Sequence, residues 1–373
     1  MKSSSIKYIL ILMLLFIIIS ISSLPRASTS NKINTSFNDN PNSFSNSINA
    51  PLNYSHIGIQ PTCIIPIKFE DMQPKRNLTD IIDLIRIAAK DYFPEVSYGL
   101  TEFNISMIIE NWLLMPRPMS YYAIDTDQSR MDLINDVISI SSQYVNLRNY
   151  PRVIIVHAGR DEALTNNSSD ILSFATVGEL EVNVNGVTCK ISFAIISEYD
   201  PLGIIVHEMA HMIGLPDLYD YSGNREFVGK WDLMGKGLWN GVPIGSCPAQ
   251  LSSVCKISLG WIPSNSIITV HYGEAVEVTL KPLDTSSGIR VIKIPIESRV
   301  YYLIEARRKR GYDEYLPGEG VLIYFINESI PPGNGLVKII DANPSTSTLN
   351  DAYFTVNKIW RDKKHNLIIK ILE

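Results

Sequence analysis

The chain has 373 residues, 45% of them hydrophobic and 19% charged, with a formal net charge of -5. That is enough apolar content for one large core or two moderate ones, and it excludes an intrinsically disordered protein. The slightly acidic balance also excludes a non-specific nucleic-acid binder, which needs a basic field to displace counterions from phosphates.

The N-terminus carries Lys2 and Lys7, an almost unbroken apolar run from Tyr8 to Leu24, and then Pro25-Arg26-Ala27. A basic end followed by a hydrophobic stretch is the layout of a secretory leader, although this run is long for a signal peptide and at the lower limit for a membrane span. Residues 1–27 are therefore read as a signal peptide or signal anchor. Residues 28–55, dominated by Ser and Asn, read as a linker or short pro-segment that cannot bury enough surface to fold. The expected location is extracytoplasmic, secreted or at the cell surface, with attachment to membrane or cell surface through the N-terminal segment as one outcome. Asn-x-Ser/Thr acceptors at Asn34, Asn53, Asn77, Asn104, Asn167 and Asn327 fit an exported chain.

In the front half, 63–69, 152–158 and 190–196 are short β-rich apolar runs, and 77–92 and 130–147 carry helical spacing. Ile81, Leu84, Ile85, Ala88 and Tyr92 form one stripe, with Asn77 or Thr79 as N-cap. Ile134, Val137, Ile138, Ser141 and Tyr144 form the other. Both stripes are core. Cys63, Cys189, Cys247 and Cys255 show no C-x-x-C pair and no zinc-finger spacing. Free buried thiols and two disulfides, with Cys247–Cys255 the most local pairing, are both open.

Asp200-Pro201 reads as a helix start, with Asp as N-cap and Pro at the first helical position. The helix that follows, LGIIVHEMAHMI, has no polar face, so it is expected to be buried. Two His and a Glu inside a buried helix are costly unless something pairs with them, and a metal supplies that pairing. His207 and His211, one turn apart, can reach a single Zn²⁺, while Glu208 beside the first ligand is placed to act as general base on a polarised water. The chain has only six His, which makes a chance H-E-x-x-H uncommon. Gly214 can end the helix in the left-handed conformation, and Leu215-Pro216 forces an extended turn that returns Asp217 toward the metal. Asp220 lies nearby as an alternative metal ligand. His157 follows an apolar run and reads as a hydrogen-bonded structural His before a ligand. Trp231, Trp239, Trp261 and the tyrosines read as core or domain-contact residues before cleft residues.

After Trp261-Ile262-Pro263 the texture changes to strand-like runs, IITVHY, AVEVTL, IRVIKIPI, VYYLIEA, GVLIYFI and NLIIKIL, separated by Gly, Pro, Asp and Ser. This reads as a β-rich domain, a sandwich or barrel, over 263–373.

The spacing H-E-x-x-H-x-x-G-x-x-D resembles the metzincin type of zinc peptidase, and GLPDLYD resembles the M6 (immune inhibitor A-like) family. FEDMQP, VSYGLTEF, IIVHAG, KWDLMGKGLWNG, PAQLSSVCKISLGW and YYLIEARRKRGYDEYLPGEGVLIY look like stretches of that family too, covering most of the chain from about residue 60 onward. The resemblance implies an α/β (α+β) zincin-like catalytic domain over 56–262. It implies His207, His211 and Asp217 as zinc ligands, Glu208 as the base, and Met234 in WDLM as a structural Met-turn beneath the metal. Position 236 is Lys, so the residue stabilising the oxyanion stays open. Zn²⁺ is the expected cofactor, with room left for Ca²⁺, and the expected partners are protein or peptide substrates and no nucleic acid. Two readings of other classes stand beside this one. One is a catalytically silent surface binding or adhesin protein retaining the fold, which loss of Glu208 or a His would favour. The other is a zinc hydrolase acting on a non-peptide substrate.

Overall fold

The computed structural model describes residues 6–13 and 56–372. Its front half is built on a mostly parallel sheet in the order Thr101–Ile108, Gly58–Lys68, Arg152–His157, Val187–Ser197, Phe174–Ala175. The first four strands are parallel, and Phe174–Ala175 closes the edge antiparallel. Arg152–His157 is buried at every position, as an interior parallel strand covered on both faces must be.

Side chains alternate across the sheet. Cys63, Ile65, Ile67, Val153, Ile155, Phe193 and Ile195 join one apolar cluster with Leu133, Ile134, Val137 and Ile138 of the helix Asp127–Ser141. Ile64, Ile154, Val156, Ala194 and Ile196 join another, with Ile81, Ile82 and Ile85 of the helix Leu78–Ile87 and most of the helix Leu202–Met212. The front half is thus a sheet with helices on both faces.

Local signals account for the boundaries of these helices. Asn77 caps the first, its Oδ1 accepting from the Thr79 N–H at 3.0 Å. The second starts earlier than its apolar spacing suggests, at Asp127, because Thr126 and Ser129 form a reciprocal capping box. It ends at Ser141, leaving Tyr144 outside it and 51% exposed. The third begins without Asp200: its N-cap is Pro201, with no side-chain cap. The Asp200 carboxyl instead turns back to accept from the Ser197 N–H at 2.8 Å and the Ser173 hydroxyl at 2.7 Å. Burial, reinforced by Asp161 nearby, pushes its pKa well above the usual carboxylate range, while the two hydrogen bonds it accepts work the other way.

The back half contains two sheets. Val337–Ile339, Gly320–Asn327, Val300–Arg307, Val291–Glu297 and Ile267–Thr269 form the first. Ala275–Leu280, Ile6–Met13, Leu367–Ile371 and Ile359–Asp362 form the second, all antiparallel. The described part of the expected leader, Ile6–Met13, is therefore a strand in that sheet, and the rest of residues 1–55 lies outside the described residues. Among the described residues no helix is long and apolar enough to cross a membrane.

Period-two alternation in the five-stranded sheet explains how the halves join. Val321 and Ile323 share a cluster with Leu367, Ile369 and Ile371 of the other sheet. Leu322, Tyr324 and Ile326 point the opposite way and share a cluster with Val206, Met209 and Ile213 at the buried helix. One apolar core therefore crosses residue 263. Trp231 and Trp261 lie within that cluster with their indole N–H groups satisfied by the Leu349 carbonyl at 2.6 Å and the Thr101 hydroxyl at 2.9 Å, which makes them packing residues. All four cysteines are free, Cys63 and Cys255 buried.

Candidate metal centre

Every residue of the helix Leu202–Met212 is buried, so its two imidazoles are largely withdrawn from solvent. The i, i+4 spacing stacks them on one face, with their Nε2 atoms 3.2 Å apart. Each ring is fixed from behind. Nδ1 of His207 donates to the Leu233 carbonyl at 3.1 Å, and Nδ1 of His211 to the Leu215 carbonyl at 2.6 Å. A carbonyl only accepts, so the proton sits on Nδ1 and the Nε2 lone pairs face one point, the arrangement a metal-binding histidine needs.

The chain then comes back to that point. Gly214, at φ +96°, takes the left-handed conformation that ends the helix, and its N–H donates to the His211 carbonyl at 2.8 Å. Three residues later Asp217 places Oδ1 3.2 Å from Nε2 of His207 and 3.3 Å from Nε2 of His211. The return is held by the Leu218 N–H, which donates to the Met234 carbonyl at 2.8 Å. Met234 is fully buried and its own N–H is held by Asp232 Oδ1 at 2.7 Å. The Leu233-Met234 turn thus orients both the His207 ring and the Asp217 loop.

Among the described residues, His207, His211 and Asp217 form a group whose ligand atoms lie within 4.8 Å of one another, and no second such group occurs. The triangle of 3.2, 3.2 and 3.3 Å fits a tetrahedral zinc with bonds of about 2.0–2.1 Å, whose neighbouring donors stand about 3.3–3.4 Å apart. Two nitrogen donors and one carboxylate also match the donor set of an open catalytic zinc site. Asp217 Oδ1 and Glu208 Oε2 are buried without an aligned hydrogen-bond donor, a cost that a cation at this point relieves.

The charges of the metal-free site tell the same story. Burial works against a charged His211, yet Asp217 overrides it and raises its pKa to about 9. Burial likewise opposes the Asp217 carboxylate, and His211 and His207 nonetheless hold its pKa far below the usual range. Glu208, 6% exposed, is pushed up by burial, partly offset by the two His and reinforced by Asp217.

Asp220 is not part of this group. Its carboxylate is turned away to accept from the Ser222 N–H, the Ser222 hydroxyl and the Arg225 N–H at 3.2, 2.6 and 2.9 Å. His157 is also elsewhere, fully buried with Nδ1 against the Ala158 carbonyl at 3.0 Å. Two of the tyrosines, read from the sequence as core or domain-contact residues first, do reach the site. The Tyr219 ring lies roughly parallel to His207, centroids 6.4 Å apart, and the Tyr221 hydroxyl donates to Asp217 Oδ2 at 3.2 Å. Their only sequence signal is a pair of tyrosines, Tyr219 and Tyr221, shortly after Asp217, which by itself does not distinguish a site wall from surface aromatics.

Residues 158–261 match the family described as "Immune inhibitor A peptidase M6, catalytic domain". Immune inhibitor A from Bacillus thuringiensis subsp. alesti is 24% identical over 246 residues, which are 54% of this chain and 35% of that protein. The Pre-pro-metalloprotease PrtV of Vibrio cholerae serotype O1 is 43% identical over 56 residues, 14% of this chain and 6% of that one. The chain thus spans well under two thirds of the length of these relatives. Among solved structures, wild-type OgpA from Akkermansia muciniphila matches over 80% of this chain and 96% of that one, at 11% identity and a TM-score of 0.32. A likeness that distant fixes neither fold nor activity.

Proposed function

We propose that this chain, which belongs to the M6 (immune inhibitor A) peptidase family through residues 158–261, is an exported zinc-dependent endopeptidase. The observation that carries the reading is the triangle of His207 Nε2, His211 Nε2 and Asp217 Oδ1, with the Oε2 of Glu208, on the same helix, buried without a partner. His207, His211 and Asp217 would hold the ion. Bound there, zinc would supply Lewis acidity, polarising both a water and the scissile carbonyl.

Groups of the protein itself do the rest. The Leu233 and Leu215 carbonyls hold both imidazoles in the tautomer that leaves Nε2 free. Glu208 takes the proton of the attacking water on its free carboxylate oxygen and later delivers it to the leaving amine. The apolar surroundings of the helix exclude bulk water, which keeps that carboxylate basic.

The Glu208→Gln variant tests this assignment. It keeps size and hydrogen-bonding capacity while removing the proton acceptor, so bound zinc should be unchanged and cleavage of an unfolded protein substrate should fall by about 10² to 10⁴. Parental cleavage by a zinc-loaded Glu208→Gln protein would end the reading. No cleavage by the zinc-loaded parent would favour the silent binding protein. Cleavage of small esters but not of peptides would favour the non-peptide hydrolase.

Export rests on the basic and apolar start of the sequence. Removal of a leader over residues 1–27 would take Ile6–Met13 out of the sheet it shares with Ala275–Leu280 and Leu367–Ile371. The N-terminal sequence of protein recovered from the medium reads this directly, and full-length chain found only in the cytosol would refute export.

A further inference from the structure

We propose that Tyr221 is a positioning residue for the Asp217 ligand, held in place from the back half of the chain by Gly333. The inference rests on the zinc reading above. The two oxygens of Asp217 have different neighbours: Oδ1 faces both imidazoles at 3.2 and 3.3 Å, and Oδ2 receives the Tyr221 hydroxyl at 3.2 Å.

That division matters because Asp217 comes from the loop beyond the helix, not from the helix. The two His are aimed by helix geometry and by backbone carbonyls, whereas a loop carboxylate is free to rotate about its own bonds. A donor on the outer oxygen selects the rotamer that keeps the inner one on the ion, and such outer partners commonly set metal affinity. The next carboxylate along, Asp220, cannot substitute, since Ser222 and Arg225 occupy it.

Tyr221 is fixed in turn by a residue far away in sequence. Its N–H donates to the Gly333 carbonyl at 3.2 Å, and its ring lies directly against Gly333. A Cβ added at 333 would come within 2.1 Å of the ring Cδ2 and 2.3 Å of Cγ, and φ there is +73°, so the position needs glycine for both space and backbone. On the other side Tyr219 packs edge-on at 5.6 Å. Gly333 lies only a few residues before Leu336 and Val337, which are buried in the core shared with the metal helix. The five-stranded sheet is thereby linked to the outer oxygen of the third ligand through two residues.

The test is a zinc titration of the metal-stripped full chain against a chelating indicator, with the ion alone as probe. Tyr221→Phe should bind zinc about 10- to 100-fold more weakly than the parent, while the metal-free protein melts at the parental temperature and peptide cleavage returns toward the parental kcat at saturating zinc. Gly333→Ala should weaken zinc similarly by displacing the ring. The double variant should bind no more weakly than the worse single one, because both changes break the same link. Parental zinc affinity in Tyr221→Phe would overturn the proposal, and that variant decides the matter even if Gly333→Ala does not fold. A parent that bound no zinc would instead bring down the zinc reading itself, and the same titration reads that outcome first.

Discussion

Nε2 of His207 and Nε2 of His211 stand 3.2 Å apart with both rings anchored through Nδ1, so each contributes one donor to the same point. With three protein donors at that point, loss of either ring leaves two. The parent should carry about one zinc per chain, and His207→Ala or His211→Ala close to none, with peptide cleavage lost in parallel. Elemental analysis after gel filtration measures this, and a full zinc complement in either variant would contradict the site.

The two neighbouring aspartates should separate cleanly. Asp217→Ala removes the oxygen that faces both imidazoles and should strip zinc at concentrations where the parent is saturated. Asp220→Ala removes the acceptor for Ser222 and Arg225, so it should loosen the 220–225 loop, detectable as faster proteolysis there, and keep its zinc. The reverse pattern of zinc content would make Asp220 the ligand.

Arg307 is fully buried, donating to both oxygens of Asp313 at 2.8 and 2.6 Å, to Glu305 at 3.1 Å and to the Trp231 carbonyl at 2.8 Å. Replacing it leaves two buried carboxylates uncompensated, so Arg307→Met should cost about 3–5 kcal/mol of stability. Urea denaturation measures it. A loss under about 1 kcal/mol would mean that those carboxylates find other partners or water.

Lys256 is buried with its Nζ 2.8 Å from Gln250 Oε1, 3.2 Å from the Tyr98 hydroxyl and over the Tyr98 ring. Burial, helped by Arg307 and opposed by Asp313 and Glu305, lowers its pKa to about 7 from 10.5. Between those values the unfolded chain holds a proton that the folded chain has released. Stability should therefore rise with pH through that window, by at most about 1.4 kcal/mol per unit, and this contribution should be lost again as pH falls toward 7. Urea unfolding of the parent and Lys256→Met at pH 7.5 and 9 isolates the slope. Identical slopes in the two proteins would rule out a neutral Lys256.

Much of the local organisation was legible in the sequence. The apolar runs at 63–69, 152–158 and 190–196 correspond to the strands Gly58–Lys68, Arg152–His157 and Val187–Ser197, since strands buried on both faces need continuous hydrophobicity. The i, i+4 histidines and the Gly214 to Pro216 turn were equally local, because helix periodicity and the conformational freedom of glycine act over a few residues. Local signals also misled at Asp200, whose side chain had a choice between its own helix and Ser173 and took the latter.

What only the tertiary structure decided are contacts between residues distant in the chain. Which of Asp217 and Asp220 faces the imidazoles depends on the Met234 carbonyl holding the Leu218 N–H. The partner of Tyr221 is Gly333, and the two halves share one core because Leu322, Tyr324 and Ile326 face the helix Leu202–Met212. Sequence pattern states that a strand has two faces and that a carboxylate needs a partner. Which neighbour meets each face or group is fixed only when the packing of every segment is solved at once, since burial and hydrogen bonding are properties of the surroundings and not of the residue.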